Sequence, residues 1–247
     1  MIKNIFKPFH NNLNLFLPIK VKELSLQINN NFFFDKLSFS IDNNLISSFI
    51  GPNGAGKTSC IKLLTGLIKP QSGEIIFSKK KNYPTLIGYV PQKIILLRRS
   101  VEENLSHALS LSNYPVKKRK KRIKEILKFS KLNNLANMSA RNLSIGQQQL
   151  LSIMRSLINR PNFLFLDEPC ANLDLQTTIV IENILKKVSK SGVKIIIVTH
   201  DLFQAKRLAD EILFFYNGKI LEQTKSNIFF NKPKSKEAKR FQKGILI

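Results

Sequence analysis

Leu45–Leu67 reads LISSFIGPNGAGKTSCIKLLTGL, and its three parts set the class of the fold. Leu45–Ile50 reads as a buried strand, Gly51–Gly56 as a glycine-rich turn, and Lys57 as the start of an apolar helix. Gly51, Gly56, Lys57 and Thr58 satisfy the phosphate-loop pattern G-x-x-x-x-G-K-S/T. Glycines at 51, 54 and 56 let the backbone curl so that successive N–H groups converge on phosphate oxygens. The following helix points its positive end at the same anion. Lys57 supplies a point charge for the outer phosphates, and Thr58 a hydroxyl for Mg²⁺. The candidate phosphate contacts are Gly51, Pro52, Asn53, Gly54, Ala55, Gly56, Lys57, Thr58 and Ser59. The expected ligand is a nucleoside triphosphate.

Around this stretch, a chain of 247 residues that is 43% hydrophobic has the length for one domain with a substantial core. No apolar run approaches the roughly 18 residues that span a bilayer. The start, MIKNIFKPFHNNLNLFLPI, is interrupted by Pro8, His10, Asn11, Asn12 and Asn14 and lacks a secretory pattern, so a cytoplasmic protein is expected. Cys60 and Cys170 have neither metal-ligand spacing nor a disulfide framework and read as buried, inert thiols. The formal charge of +24 raises nucleic acid as a partner. Lys, Asn, Ile and Phe are abundant throughout, however, which is the bias that AT-rich coding produces. The densest run, Lys117–Lys124 (KKRKKRIK), has no interleaved aromatics and reads as a solvated helix face. Attraction to anionic lipid beside a membrane partner suits it better than specific nucleic-acid binding.

Val21–Leu26 and Leu37–Ile41 alternate as half-buried antiparallel strands do, with a turn at Asn29–Asn31. Lys69–Gly73 is a second turn, and Thr85–Val90 a strand ending at Pro91-Gln92. From about residue 93 to 141 the spacing is helical, over Glu102–Leu111 and Lys118–Phe129, and reads as an insertion. Leu143–Asn159 is a further helix, with Ser144 and Gln147 fitting a capping box. Strand Phe163–Leu166, helix Gln176–Val188, strand Val193–Val198, helix Leu202–Ala209 and strand Glu211–Tyr216 then alternate, as a parallel sheet between helices requires. Ser235–Phe241 is expected to be the last helix.

Phosphoryl transfer to water needs a phosphate cradle, a metal, an oriented water and compensation of developing charge. Asp167 ends the buried strand FLFLD, where such sheets place their ligands, and is suited to Mg²⁺ directly or through water. Glu168 follows it and can polarise the attacking water. His200 ends the next strand, within reach of the γ-phosphate, and Gln92 is another polar group at a strand end.

GPNGAGKT, VPQ, LSIGQQQ at Leu143–Gln149, FLFLDEP, ANLD at Ala171–Asp174 and VTHD, in this order and spacing, resemble the ATP-binding cassette of ABC transporters over about Val21 to Gly218. The resemblance implies an α/β P-loop NTPase fold of the ABC nucleotide-binding type, with an antiparallel β subdomain and an inserted helical subdomain. It implies an N-terminal extension over 1–20 and an ATPase domain over 21–247, with the insertion at about 93–142. It also implies that Glu168, His200 and Gln92 are catalytic, and that Thr58, Gln92 and Asp167 hold Mg²⁺. Two copies would sandwich two ATP molecules, Ser144, Gly146 and Gln147 reaching the γ-phosphate of the facing subunit and Asp174 lying at the dimer interface. The partners implied are a second copy, integral membrane permease subunits and, indirectly, a solute-binding protein, at the cytoplasmic face of the membrane. The base platform, an aromatic in the family, corresponds to about Ile28, with Phe32 to Phe34 following.

The tail is similar to that of tungstate and related oxyanion importers, which end in FF-x-x-P-x-S-x-x-A-x-x-F-x-x-G. Phe229, Phe230, Pro233, Ser235, Ala238, Phe241 and Gly244 match it here. Importers of zinc, phosphate or an amino acid are the alternative. Soluble cassettes acting on nucleic acid or ribosomes fit less well, because the interval before LSIGQ is too short for a coiled coil and one cassette is present.

The family usually has LSGGQ, whereas Ile145 stands here in place of the first glycine. A β-branched residue adds bulk where the partner's ATP approaches. Ile145→Gly in the Glu168→Gln background is therefore expected to strengthen ATP-dependent dimerisation by about 1 kcal/mol, the scale of one hydrogen bond. Analytical ultracentrifugation with ATP and Mg²⁺ reads the outcome, and an unchanged or weaker dimer would show that the backbone accommodates isoleucine.

Overall fold

A computed structural model describes residues 5–8, 17–28, 31–43, 45–77, 87–112 and 114–245. The chain divides into two compact units, Met1–Asn11, Leu86–Leu164 and Pro169–Val193 in one and Asn12–Thr85, Phe165–Glu168 and Lys194–Ile247 in the other.

The second unit opens with β1 (Ile19–Ile28) and β2 (Asn31–Ile41), which pair antiparallel. Ile19, Val21, Leu24 and Leu26 of β1 are buried, as are Phe34, Leu37 and Ile41 of β2. Register shifts explain why the alternation is imperfect. The expected turn residues Asn29 and Asn30 lie outside the described residues, and Asn31 already belongs to β2. β3 (Ile46–Ile50) is buried along its whole length and leads into α1 (Lys57–Leu64). Amides of Gly66 and Leu67 close that helix on the carbonyls of Leu63 and Lys62, short of the Leu67 end of the stretch quoted above.

β4 (Ser72–Phe77) pairs antiparallel with β1 and was not expected. Its residues are half-buried or exposed, so its strand character comes from its partner and not from its own period. Two further strands, β7 (Lys194–Val198) and β8 (Glu211–Tyr216), flank β3 in parallel. The last residues of β6 (Phe163–Asp167) lie beside β7, and β9 (Lys219–Lys225) pairs antiparallel with β8. The hairpin turns at Asn217-Gly218, whose φ angles of 45° and 71° suit the tight two-residue turn that Asn-Gly favours. This unit also holds α6 (Leu202–Leu208), α7 (Ser226–Asn231) and α8 (Lys236–Gln242). Phe229 and Ala238 are fully buried with Ile50, Ile212 and Phe214, while Ser235 caps α8 by accepting from the Ala238 amide.

The first unit contains β5 (Ile87–Val90) beside the start of β6, with α2 (Val101–Ser110), α3 (Val116–Ser130), α4 (Ile145–Leu157) and α5 (Leu175–Lys190). The capping box of α4 is formed: Ser144 Oγ accepts from the Gln147 amide, and Gln147 Oε1 from the Ser144 amide. Arg122 corrects the reading of Lys117–Lys124 as wholly solvated, being 1% exposed. Its guanidinium donates to the carbonyls of Ile5, Leu157 and Ile158, and it lies over the Phe6 ring. Three carbonyl acceptors replace the lost water, and burial still pushes its pKa down to about 10. Of the thiols, Cys60 is buried and raised in pKa by burial, whereas Cys170 is only half-buried, a correction to its reading.

Lys194 is a second buried cation, at the start of β7. Its ammonium donates to Asn43 Oδ1 at 3.0 Å, to Ser47 Oγ at 2.8 Å and to the Leu45 carbonyl. Ser47 in turn donates to Glu211 Oε2 at 2.6 Å. Burial pushes the Lys194 pKa down to about 7, against the pull of Glu211 and Asp210. An unfolded lysine keeps its proton to about pH 10. Between about pH 7 and 10 the unfolded state thus binds more protons, and stability rises with pH by at most about 1.4 kcal/mol per unit. In urea titrations across that range the wild type is expected to gain stability relative to Lys194→Met; parallel curves would show that the proton is never shed on folding.

Candidate active site

The phosphate loop leaves the end of β3 through Gly51, whose φ of 146° lies in the region that favours glycine. A Cβ there would lie 2.0 Å from the Phe215 carbonyl oxygen of β8. At Gly56 a Cβ would meet the Phe34 ring at 2.6 Å, and at Gly54 nothing within 4 Å. The Ala55 carbonyl accepts from the Gly218 amide at 3.2 Å, so the β8–β9 turn braces the loop from outside. Lys57 is buried at the start of α1, and its ammonium donates to the Gly51 and Pro52 carbonyls, each at 2.7 Å. Burial lowers its pKa, and Glu168 and Asp167 oppose that shift.

Asp167 ends β6, 2% exposed, and its Oδ1 accepts from Thr58 Oγ1 at 2.9 Å. Burial raises the Asp167 pKa, while the Thr58 hydrogen bond and the charges of Lys62 and Lys57 pull it down. Glu168 follows with a φ of 48°, its amide donating to the Val198 carbonyl at the end of β7. Glu168 Oε1 lies 2.9 Å from His200 Nδ1. His200 is exposed between β7 and α6, where Thr199 Oγ1 accepts from the Asp201 amide and Asp201 caps α6.

One unit therefore holds Gly51 to Ser59, Asp167, Glu168 and His200 together. Gln92, Ser144, Gly146 and Gln147 belong to the other unit, as does Asp174, which caps α5 by accepting from the Thr177 amide and hydroxyl. Ile145 is the first residue of α4, with helical backbone and a 60% exposed side chain, so the fold places no demand for glycine there. The demand falls on Gly146, where a Cβ would lie 2.5 Å from Thr177 Cγ2.

Phe34 is fully buried and packs on the loop, which removes it as a base platform. Phe33 is half-buried, and its ring also borders Gly56. The side chains of Ile28 and Phe32 lie outside the described residues.

The arrangement fits both a triphosphate and a divalent cation. The loop amides and the α1 N-terminus form an anion cradle, open at Gly54. One hydroxyl and one carboxylate, 2.9 Å apart, are oxygen donors of the kind Mg²⁺ takes alongside phosphate oxygens.

The family model described as ABC transporter matches residues 34–171. The chain belongs to the ABC transporter family. Its fold is that of the family's ATPase domain. The spermidine/putrescine import ATP-binding protein PotA of Clostridium novyi is 34% identical over 97% of this chain, which spans 66% of that relative's length. The molybdate/tungstate import ATP-binding protein WtpC of Methanocaldococcus jannaschii is 33% identical over 90% of this chain and 75% of its own. A solved structure of cbiO1 from Clostridium perfringens, described as part of the ABC transporter complex cbiONQ, aligns with a TM-score of 0.77 at 27% identity, covering 87% of this ABC chain and 91% of that one.

Proposed function

We propose that the chain is the ATP-hydrolysing subunit of an importer, working as a homodimer against membrane permease subunits at the cytoplasmic face. The observation that carries this reading is the Thr58–Asp167 hydrogen bond, which joins the phosphate loop to the strand-end carboxylates across 109 residues of sequence.

In this reading the amides of Gly54 and Gly56–Thr58, at the α1 N-terminus, bind the phosphates, and Lys57 turns from the loop carbonyls to the outer phosphate oxygens. Thr58 and Asp167 would hold Mg²⁺, which would supply positive charge against the phosphates. Glu168 Oε accepts the proton of the attacking water, and His200, 2.9 Å away, fixes that carboxylate and faces the γ-phosphate. Ser144, Gly146 and Gln147 at the start of α4 serve the partner's nucleotide. Among the described residues no helix is long and apolar enough to cross a membrane, so attachment runs through the permease, with a solute-binding protein upstream.

The solute proposed is an oxyanion such as tungstate, supported by the similarity to WtpC. The similarity to PotA favours a polyamine as the second reading. Purification with the cognate permease and identification of the solute that stimulates ATP turnover separates the two.

Glu168→Gln is expected to leave ATP binding intact and to cut turnover by roughly 10² to 10⁴, the scale of general-base catalysis. Lys57→Ala should weaken nucleotide binding itself. Equal hydrolysis by the wild type and Glu168→Gln in a phosphate-release assay would refute the base assignment.

A further inference from the structure

Helix α3 buries one face and leaves another that the rest of its unit does not use. At 100° per residue, Lys117, Lys120, Lys121, Lys124 and Lys128 fall within an arc of roughly 100°, adjoining the face that Arg122, Ile123, Ile126, Leu127 and Ser130 bury. All five are exposed, and none is ion-paired among the described residues. The helix's one acidic residue, Glu125, lies 3.9 Å from Arg122. Leu111 and Val116, at the entrance to the helix, are 77% and 73% exposed.

This stripe costs the helix stability. Like charges at i,i+3 and i,i+4 each disfavour it by about 0.2–0.5 kcal/mol. The first turn carries lysines and no acidic residue, against the helix dipole. The buried face is complete without them, so folding gives no reason for the stripe.

We propose that the lysine stripe of α3 is a docking surface for an anionic phospholipid bilayer, with Leu111 and Val116 entering the headgroup region. Lysine is a point charge suited to diffuse headgroup phosphates, and a stripe about 16 Å long meets several at once. Base recognition uses Arg, Asn, Gln and stacked aromatics, and the stripe has none of these. Two exposed apolar side chains at the entrance to the helix gain nothing on a duplex and can be buried at a membrane interface. The permease would then hold the chain where its own surface also meets lipid.

Vesicle co-sedimentation of the whole chain, without nucleotide, tests this apart from any ATPase reading. With vesicles of phosphatidylcholine containing about 30 mol% phosphatidylglycerol, the wild type is expected to sediment, and less so as salt rises from about 50 to 200 mM. Pure phosphatidylcholine vesicles should leave it in solution. Replacing Lys117, Lys120, Lys121, Lys124 and Lys128 by Gln should reduce partitioning roughly tenfold or more. The same change at Lys186, Lys219, Lys232, Lys236 and Lys239, which removes equal charge elsewhere, should do far less. Should the stripe variant not fold, Leu111→Asp with Val116→Asp gives the same test at two exposed side chains, with an expected loss of severalfold. Equal loss from the two five-lysine variants, equal binding to neutral vesicles, full retention by the aspartate pair, or a preference for duplex DNA over anionic vesicles at the same salt would each overturn the proposal.

Discussion

The phosphate loop is shaped by backbone lying against backbone. Gly51 runs so close to β8 that one methyl group would lie 2.0 Å from the Phe215 carbonyl, and a Cβ at Gly218 would lie 2.1 Å from the Phe33 carbonyl. Such approaches leave no room for rearrangement, because protein interiors transmit strain at close packing. The loop therefore takes its curvature from the core sheet beneath it and from the β8–β9 turn beside it. A backbone held in this way needs little further ordering when a ligand binds.

The parts of the structure legible in the sequence share one property: their signal is carried by their own residues. β3, β6 and β7 are buried along their whole length, and their apolar residues, four consecutive ones in β6 and in β7, mark them as strands. The Ser144–Gln147 capping box is likewise written in four residues. What was missed depends on neighbours. β4 is a strand because β1 offers it hydrogen bonds. β9 differs, because Asn217-Gly218 is a local signal for a two-residue hairpin. Arg122 sits inside a cationic run, and only its place on the face shared with Ile123 and Ile126 distinguishes it.

Asp167, Glu168 and His200 were legible for the same reason, since they stand at or just beyond the ends of buried strands. The solute was not. Phe229 and Ala238 fill the core and Ser235 caps a helix, so the tail pattern that suggested an oxyanion records how this segment packs. Packing of that kind is independent of what crosses the membrane, and relatives named for a polyamine and for an oxyanion stand at 34% and 33% identity.

Glu168 holds its carboxylate beside His200 from a backbone with φ of 48°, a conformation that costs a non-glycine residue of order 1 kcal/mol or more. Asn or Gly at 168 would sit more comfortably and would lack the carboxylate. Selection for thermal robustness alone would thus drift away from glutamate at this position; under the proposed function, the requirement for turnover retains it. Heat-hardened versions of such a chain, obtained without an activity screen, would tend to trade the carboxylate for stability.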